Sequence, residues 1–279
     1  MSDGFQQFSM GTWVIGLAMV MAFIGVFVGV ASARKAETAQ TSRQRTMWLA
    51  WGALSIGGIG AWLPHYIAMV GFEVYSSMVR YDILWIVISL VVPVAAAAGA
   101  LLIVSPPSTK HRRSNASVEI GRLAAGAALL GVGLVGMHLS IVYSIGIQGS
   151  VDFGPALTVA AGLIGFLVGA GVIWSVTSLH SRAVRLAAAM AVAVAVVAMH
   201  YTGMVGLSVT VDPTAARPGG LEVFSILFPV FVLAMLLITI PITALLMAPD
   251  RVAAEFELEA DMLAAESRAA ESRAAESRV

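Results

Sequence analysis

The 279 residues contain no cysteine. That excludes disulfides, thiolate metal sites, iron–sulfur clusters and covalently attached c-type haem, and leaves histidine, methionine, tyrosine and carboxylates as the available metal donors. Charge is scarce as well. Charged residues make up 11% of the chain, against roughly 25% in a soluble domain, so the chain cannot clothe a surface facing water. Its natural solvent is a bilayer. Basic and acidic residues number 16 each, and the zero balance removes any electrostatic case for a nucleic-acid partner. The period-2 alternation of a barrel strand is also missing. Helices therefore remain as the form that satisfies its backbone in lipid. The expected fold class is all-α, a polytopic membrane protein.

What is present is seven apolar stretches, each near the ~20 residues a bilayer requires. They run over Thr12–Ala33, Met47–Gly71, Ile83–Val104, Ile120–Ile147, Pro155–Leu179, Val184–Leu207 and Val223–Met247. Ala31-Ser32-Ala33 resembles a signal cleavage site, but the stretch before it is long enough to span, and Arg34 and Lys35 follow at once. The first helix is expected to be retained. Lys and Arg set the orientation. If the first loop is cytoplasmic, Arg34, Lys35, Arg43, Arg45, Lys110, Arg112, Arg113, Arg122, Arg182, Arg185, Arg251, Arg268, Arg273 and Arg278 lie inside, and only Arg80 and Arg217 lie outside. This predicts an outside N-terminus and an inside C-terminus. A membrane domain over residues 1–249 is then followed by a charged tail, 250–279, in which Ala-Ala-Glu-Ser-Arg occurs three times. That tail reads either as a helix entering the cytoplasm or as a solvated, partly disordered segment. No output domain is recognisable in it.

Acidic residues stay in loops or at helix ends, which argues against proton-coupled transport. No Ser/His/Asp set or carboxylate pair can be assembled from the helices, so the chain is not expected to be an enzyme. Histidine behaves differently. His111 and His180 fall in basic loops, but His65, His138 and His200 lie inside the second, fourth and sixth stretches. They follow Arg45, Arg122 and Arg185 by 20, 16 and 15 residues, or about 30, 24 and 22 Å along a helix. All three are expected at similar depth in the outer part of the membrane. Their surroundings repeat: Gly58-Ile59-Gly60 precedes His65 as Gly131-Val132-Gly133 precedes His138, and His65-Tyr66-Ile67-Ala68-Met69 parallels His200-Tyr201-Thr202-Gly203-Met204. We read a three-fold internal repeat whose second copy is degenerate, with Val142 in place of the downstream methionine.

His and Met four apart share a helix face, so His65 with Met69, and His200 with Met204, each present imidazole and thioether together. Met137 and Met199 directly precede their histidines. Imidazole plus thioether without carboxylate suits copper, especially Cu(I), better than Mg, Ca or Mn. One such pair alone is more often a hydrogen-bonding histidine beside a gap-filling methionine. Three at matched depth, with no other ionisable group in the core, favour a metal site. Trp62 and Tyr143 near this level read as interfacial belt residues.

Met199-His200-Tyr201-Thr202 spells MHYT, and the chain resembles the MHYT-domain family of bacterial integral membrane sensors from about Thr12 to Met247. The resemblance implies a multi-pass protein of the bacterial plasma (inner) membrane with copper near the outer face. The ligands would be His65, Met69, Met137, His138, Met199, His200 and Met204. It also implies sensing of a diatomic gas (oxygen, carbon monoxide or nitric oxide) or of redox state, coupled to a cytoplasmic signalling partner such as cyclic-di-GMP enzymes or kinases. Pro64 departs from the family pattern, standing where methionine is expected before the first histidine. Two other readings use the same residues: a copper-handling or transport protein, and a redox protein with haem held by two histidines.

Overall fold

The computed structural model describes residues 4–105, 116–179 and 181–247. His111, His180, the loop cations Lys110, Arg112 and Arg113, and the tail 250–279 lie outside the described residues. Within the described residues, seven helices are long and apolar enough to cross a membrane: α1 Trp13–Glu37, α2 Ser42–Gly71, α3 Ile83–Val104, α4 Ala116–Tyr143, α5 Pro155–Thr177, α6 Arg182–Val205 and α7 Val223–Leu246. Two compact units divide the chain, Met1–Pro241 and Ile242–Val279. The described part of the second is the last turn of α7 and Met247.

The helices match the seven apolar stretches except at their ends, where polar chemistry decides. The second stretch was expected from Met47, yet α2 starts at Ser42, because Thr41 accepts a hydrogen bond from the Gln44 amide (3.2 Å) and caps a polar first turn. The fourth was expected to reach Ile147. Instead α4 stops at Tyr143, and Ile145 and Gly146 turn aside into a strand. Asp82 caps α3 by accepting from the Leu84 and Trp85 amides, at 2.8 and 3.2 Å.

Inside α2 the chain leaves α geometry. Ser42–Ala53 is α-helical, Leu54–Trp62 is a π-helix, Leu63–Ala68 is α again, and Met69–Gly71 closes with a 3₁₀ turn. Pro64 explains where the π stretch ends. Proline has no N–H to give a carbonyl one turn back, and the Leu63 amide reaches Gly58 instead, five residues earlier. The widened segment is tolerated because glycines let neighbours close on it. A Cβ on Gly25 of α1 would stand 2.2 Å from the Gly60 nitrogen, so α1 and α2 touch backbone to backbone there.

Short strands stitch together the end of the bundle that follows α2, α4 and α6. β1 (Phe5–Gln6) pairs with β2 (Glu73–Val74), β3 (Arg80–Tyr81) with β4 (Ile145–Gly146), and β5 (Gly149–Phe153) with β6 (Leu207–Val211), all antiparallel. Tyr81 and Leu221 exchange backbone hydrogen bonds of 2.9 and 3.0 Å, which ties in the entry to α7. The N-terminal segment and three connections thus form one continuous clasp. At the opposite end, Arg34 donates to the Val176 carbonyl at 2.8 Å and Arg45 to the Ser105 carbonyl. The described basic residues of α1, α2, α4 and α6 gather at that end.

Candidate metal centre

His138 and His200 each stand five residues before the end of their helix, and His65 six before the end of its span. The even-numbered helices run in one direction, so the three imidazoles arrive at one level beneath the clasp. There they meet. One ring nitrogen from each lies within 4.8 Å of the others. Ring centroids are 5.2 Å apart for His65–His200, 5.6 Å for His65–His138 and 6.0 Å for His138–His200, with every pair edge to face. All three are buried, at 1, 4 and 2% exposure for His65, His138 and His200.

His65 is oriented by its own helix. Its Nδ1 donates to the Ala61 carbonyl at 2.9 Å, which leaves Nε2 with the free lone pair. That Nε2, the Nδ1 of His138 and the Nδ1 of His200 are buried without a hydrogen-bond partner. Burying polar nitrogens unpaired costs free energy, and neutral imidazole is a metal ligand. Ions that bind imidazole at about 2.0–2.1 Å hold ligand atoms no more than roughly 4.2 Å apart, a spacing comparable with the 4.8 Å within which these nitrogens lie. The donor set fits a nitrogen-preferring transition metal. It does not fit haem between two histidines, because a porphyrin needs a flat slot between its axial rings and the third imidazole closes each such slot.

Met69, Met137, Met199 and Met204 are all buried, at 1% exposure or less. Met204 follows His200 on unbroken α-helix, so that pair shares a face. Met69 opens the 3₁₀ turn after His65. Met199 packs its thioether toward α5, with Sδ 3.3 Å from where a Cβ on Gly165 would stand.

Other features here were not legible beforehand. Tyr66 and Tyr201, each directly after a histidine, bury hydroxyls without partners. Tyr201 meets His200 edge to face at 5.1 Å and stacks on Phe8 at 5.3 Å, so the N-terminal segment lies over the site. The repeated His-Tyr pair was the available signal. Trp62 corrects the sequence reading. It is 1% exposed rather than a belt residue, stacks on Tyr66 at 5.1 Å and donates to Ser89 Oγ at 2.8 Å. An indole whose N–H finds a partner inside the bundle has no need of the interface. Tyr143, at 56% exposure, remains on the surface.

Buried imidazoles converging between membrane-competent helices define an integral membrane protein with a nitrogen-rich site inside the bundle. Residues 58–129 match the MHYT family, described as a bacterial signalling protein N-terminal repeat. The matched segment contains His65. Among similar proteins is the bifunctional diguanylate cyclase/cyclic di-GMP phosphodiesterase MucR of Pseudomonas aeruginosa, 26% identical over 196 residues, which cover 68% of this chain and 27% of MucR. The cyclic di-GMP phosphodiesterase NbdA of the same organism is 23% identical over 206 residues, covering 71% of this chain and 24% of NbdA. The chain therefore spans about a quarter of the length of the curated relatives it matches. No solved structure matches it.

Proposed function

We propose that this chain is a membrane-embedded copper sensor whose ion is held by His65, His138 and His200, and that it relays a signal to the cytoplasm. The observation that carries this reading is the convergence of three buried imidazoles with three unpartnered ring nitrogens. Bound there, copper supplies a centre that changes redox state and accepts a diatomic ligand such as oxygen, carbon monoxide or nitric oxide. The protein's own part is to orient and to exclude. Ala61 fixes the tautomer of His65, and the clasp with Phe8 and Tyr201 keeps water off the rings. Met69, Met137, Met199 and Met204 are all buried, and we read their thioethers as the soft donors that would favour Cu(I). We read the three histidine-bearing helices as copies of one repeat, with the clasped end outward and the basic end in the cytoplasm of a bacterial inner membrane. The similarity to two cyclic-di-GMP enzymes supports an output of that kind.

Metal analysis of protein purified from membranes tests the site. Wild type should carry copper. Each single His→Ala variant should lose affinity by more than the roughly 10–100-fold that loss of a ligand's supporting partner costs, with His200→Ala the most damaging. Full copper occupancy in the triple His→Ala protein sinks the shared site. Orientation is read separately, since no native cysteine interferes. Ser76→Cys and Ala215→Cys should react with an impermeant maleimide from outside intact cells, and Ser42→Cys and Ser181→Cys should not. Reversed labelling overturns the topology.

A further inference from the structure

We propose that Gly203 is the positioning residue that lets His138 reach the other two imidazoles. The proposal rests on the reading of the three rings as one site. A Cβ built on Gly203 would stand 2.0 Å from His138 Nε2, 2.6 Å from its Cε1 and 3.1 Å from its Cδ2. The first two separations are below any contact that real side chains make. The imidazole of α4 is therefore seated against the bare backbone of α6. Gly203 lies three residues after His200, so the notch that receives His138 opens on the same face of α6 that presents His200.

Nothing in the backbone asks for glycine here. α6 is unbroken from Arg182 to Val205, and the glycines with positive φ are Gly11, Gly149 and Gly220. In a helix interior glycine costs about 0.5–1 kcal/mol relative to alanine, so helix propensity opposes it. Space is the remaining reason, and the space is taken by one ring. At Gly25 a Cβ would meet the backbone of a neighbouring helix, whereas at Gly203 its three nearest atoms all belong to the His138 side chain. Alanine at 203 therefore displaces the imidazole and leaves the helix axes where they are. The ring has little room to yield without leaving the triad. It is 4% exposed, with His65 at 5.6 Å and His200 at 6.0 Å.

A double-variant cycle of Gly203→Ala and His138→Ala in the full chain tests this, with Gly162→Ala as control. A Cβ at Gly162 meets Val135 at 3.7 Å, an ordinary contact. Gly203→Ala should lower copper affinity about tenfold or more and remove one nitrogen from the set coupled to Cu(II) in electron paramagnetic resonance. In the His138→Ala background the same change should leave affinity unaltered and Tm unchanged or slightly raised, since helix propensity favours alanine, and Gly162→Ala should bind copper as wild type does. Folded Gly203→Ala protein with unchanged affinity and nitrogen count overturns the proposal. If Gly203→Ala fails to fold, the double variant should fold as His138→Ala does, and its failure also overturns the proposal. Should wild type take up no copper, the metal reading falls, and the Tm cycle still decides. A drop on Gly203→Ala with His138 present and none without it upholds the seat, while equal drops refute it.

Discussion

α2 and α7 are both long apolar helices, and they occupy opposite extremes of the bundle. α2 is the least hydropathic of the seven and has 94% of its apolar 18-residue window buried in protein, whereas α7 is the most hydropathic and has 17% of its window buried. A soluble protein would reverse this order. In lipid, association is driven by close packing and hydrogen bonds, with no hydrophobic gain from moving leucine out of acyl chains. The interior is therefore given to glycine, serine, histidine and tryptophan, and Phe228, Leu233 and Leu236 of α7 are left outward. High hydropathy here marks contact with lipid, and modest hydropathy marks the site.

The sharpest way to break that comparison is to change side-chain volume in each helix. Gly57 of α2 faces the Pro93 carbonyl, 2.5 Å from where a Cβ would stand, so Gly57→Val should cost more than about 3 kcal/mol, read as loss of monodisperse protein in detergent. Pro64→Ala should come next. Restoring the missing N–H lets the π stretch relax toward α geometry and turns His65 out of alignment, and copper affinity should fall on the order of tenfold, about 1.4 kcal/mol. Unchanged affinity would mean that glycine packing alone holds the π segment. Ser89→Ala strands the buried Trp62 N–H and should lower stability by about 1–3 kcal/mol in thermal unfolding. Phe228→Ala in α7 should shift stability by less than about 0.5 kcal/mol. A larger loss would show that this face packs against protein.

Much of the fold was legible because lipid is an undemanding reader of sequence: about 20 apolar residues suffice to announce a span. The histidines were legible by similar counting, since comparable distances from basic residues put them near one level. Their meeting at one centre was expected from matched depth on neighbouring helices, but the partner of His65 and the seat of His138 depend on packing that no spacing rule encodes. The π stretch escaped because it arises from one absent N–H at Pro64 together with glycines that admit close neighbours. The clasp escaped because strands as short as Phe5–Gln6 pair through backbone and leave no side-chain pattern. Trp62 was misplaced because an amphipathic ring suits an interface and a buried partner equally, and only the fold reveals Ser89.

The clasp also gives the bundle a mechanical asymmetry. Its strands join connections that are not neighbours in sequence, so the N-terminal segment and the ends of α2, α4 and α6 are fastened to one another. Helices bound at one end behave as the arms of a pair of tongs. A tilt of about 3° at the fastened end carries the far end of a 20-residue helix roughly 1.5 Å, which is enough to reseat a side chain. An adjustment among the three imidazoles would lie close to that pivot, and the basic end, where Arg34 and Arg45 reach across to neighbouring carbonyls, would have the longest travel.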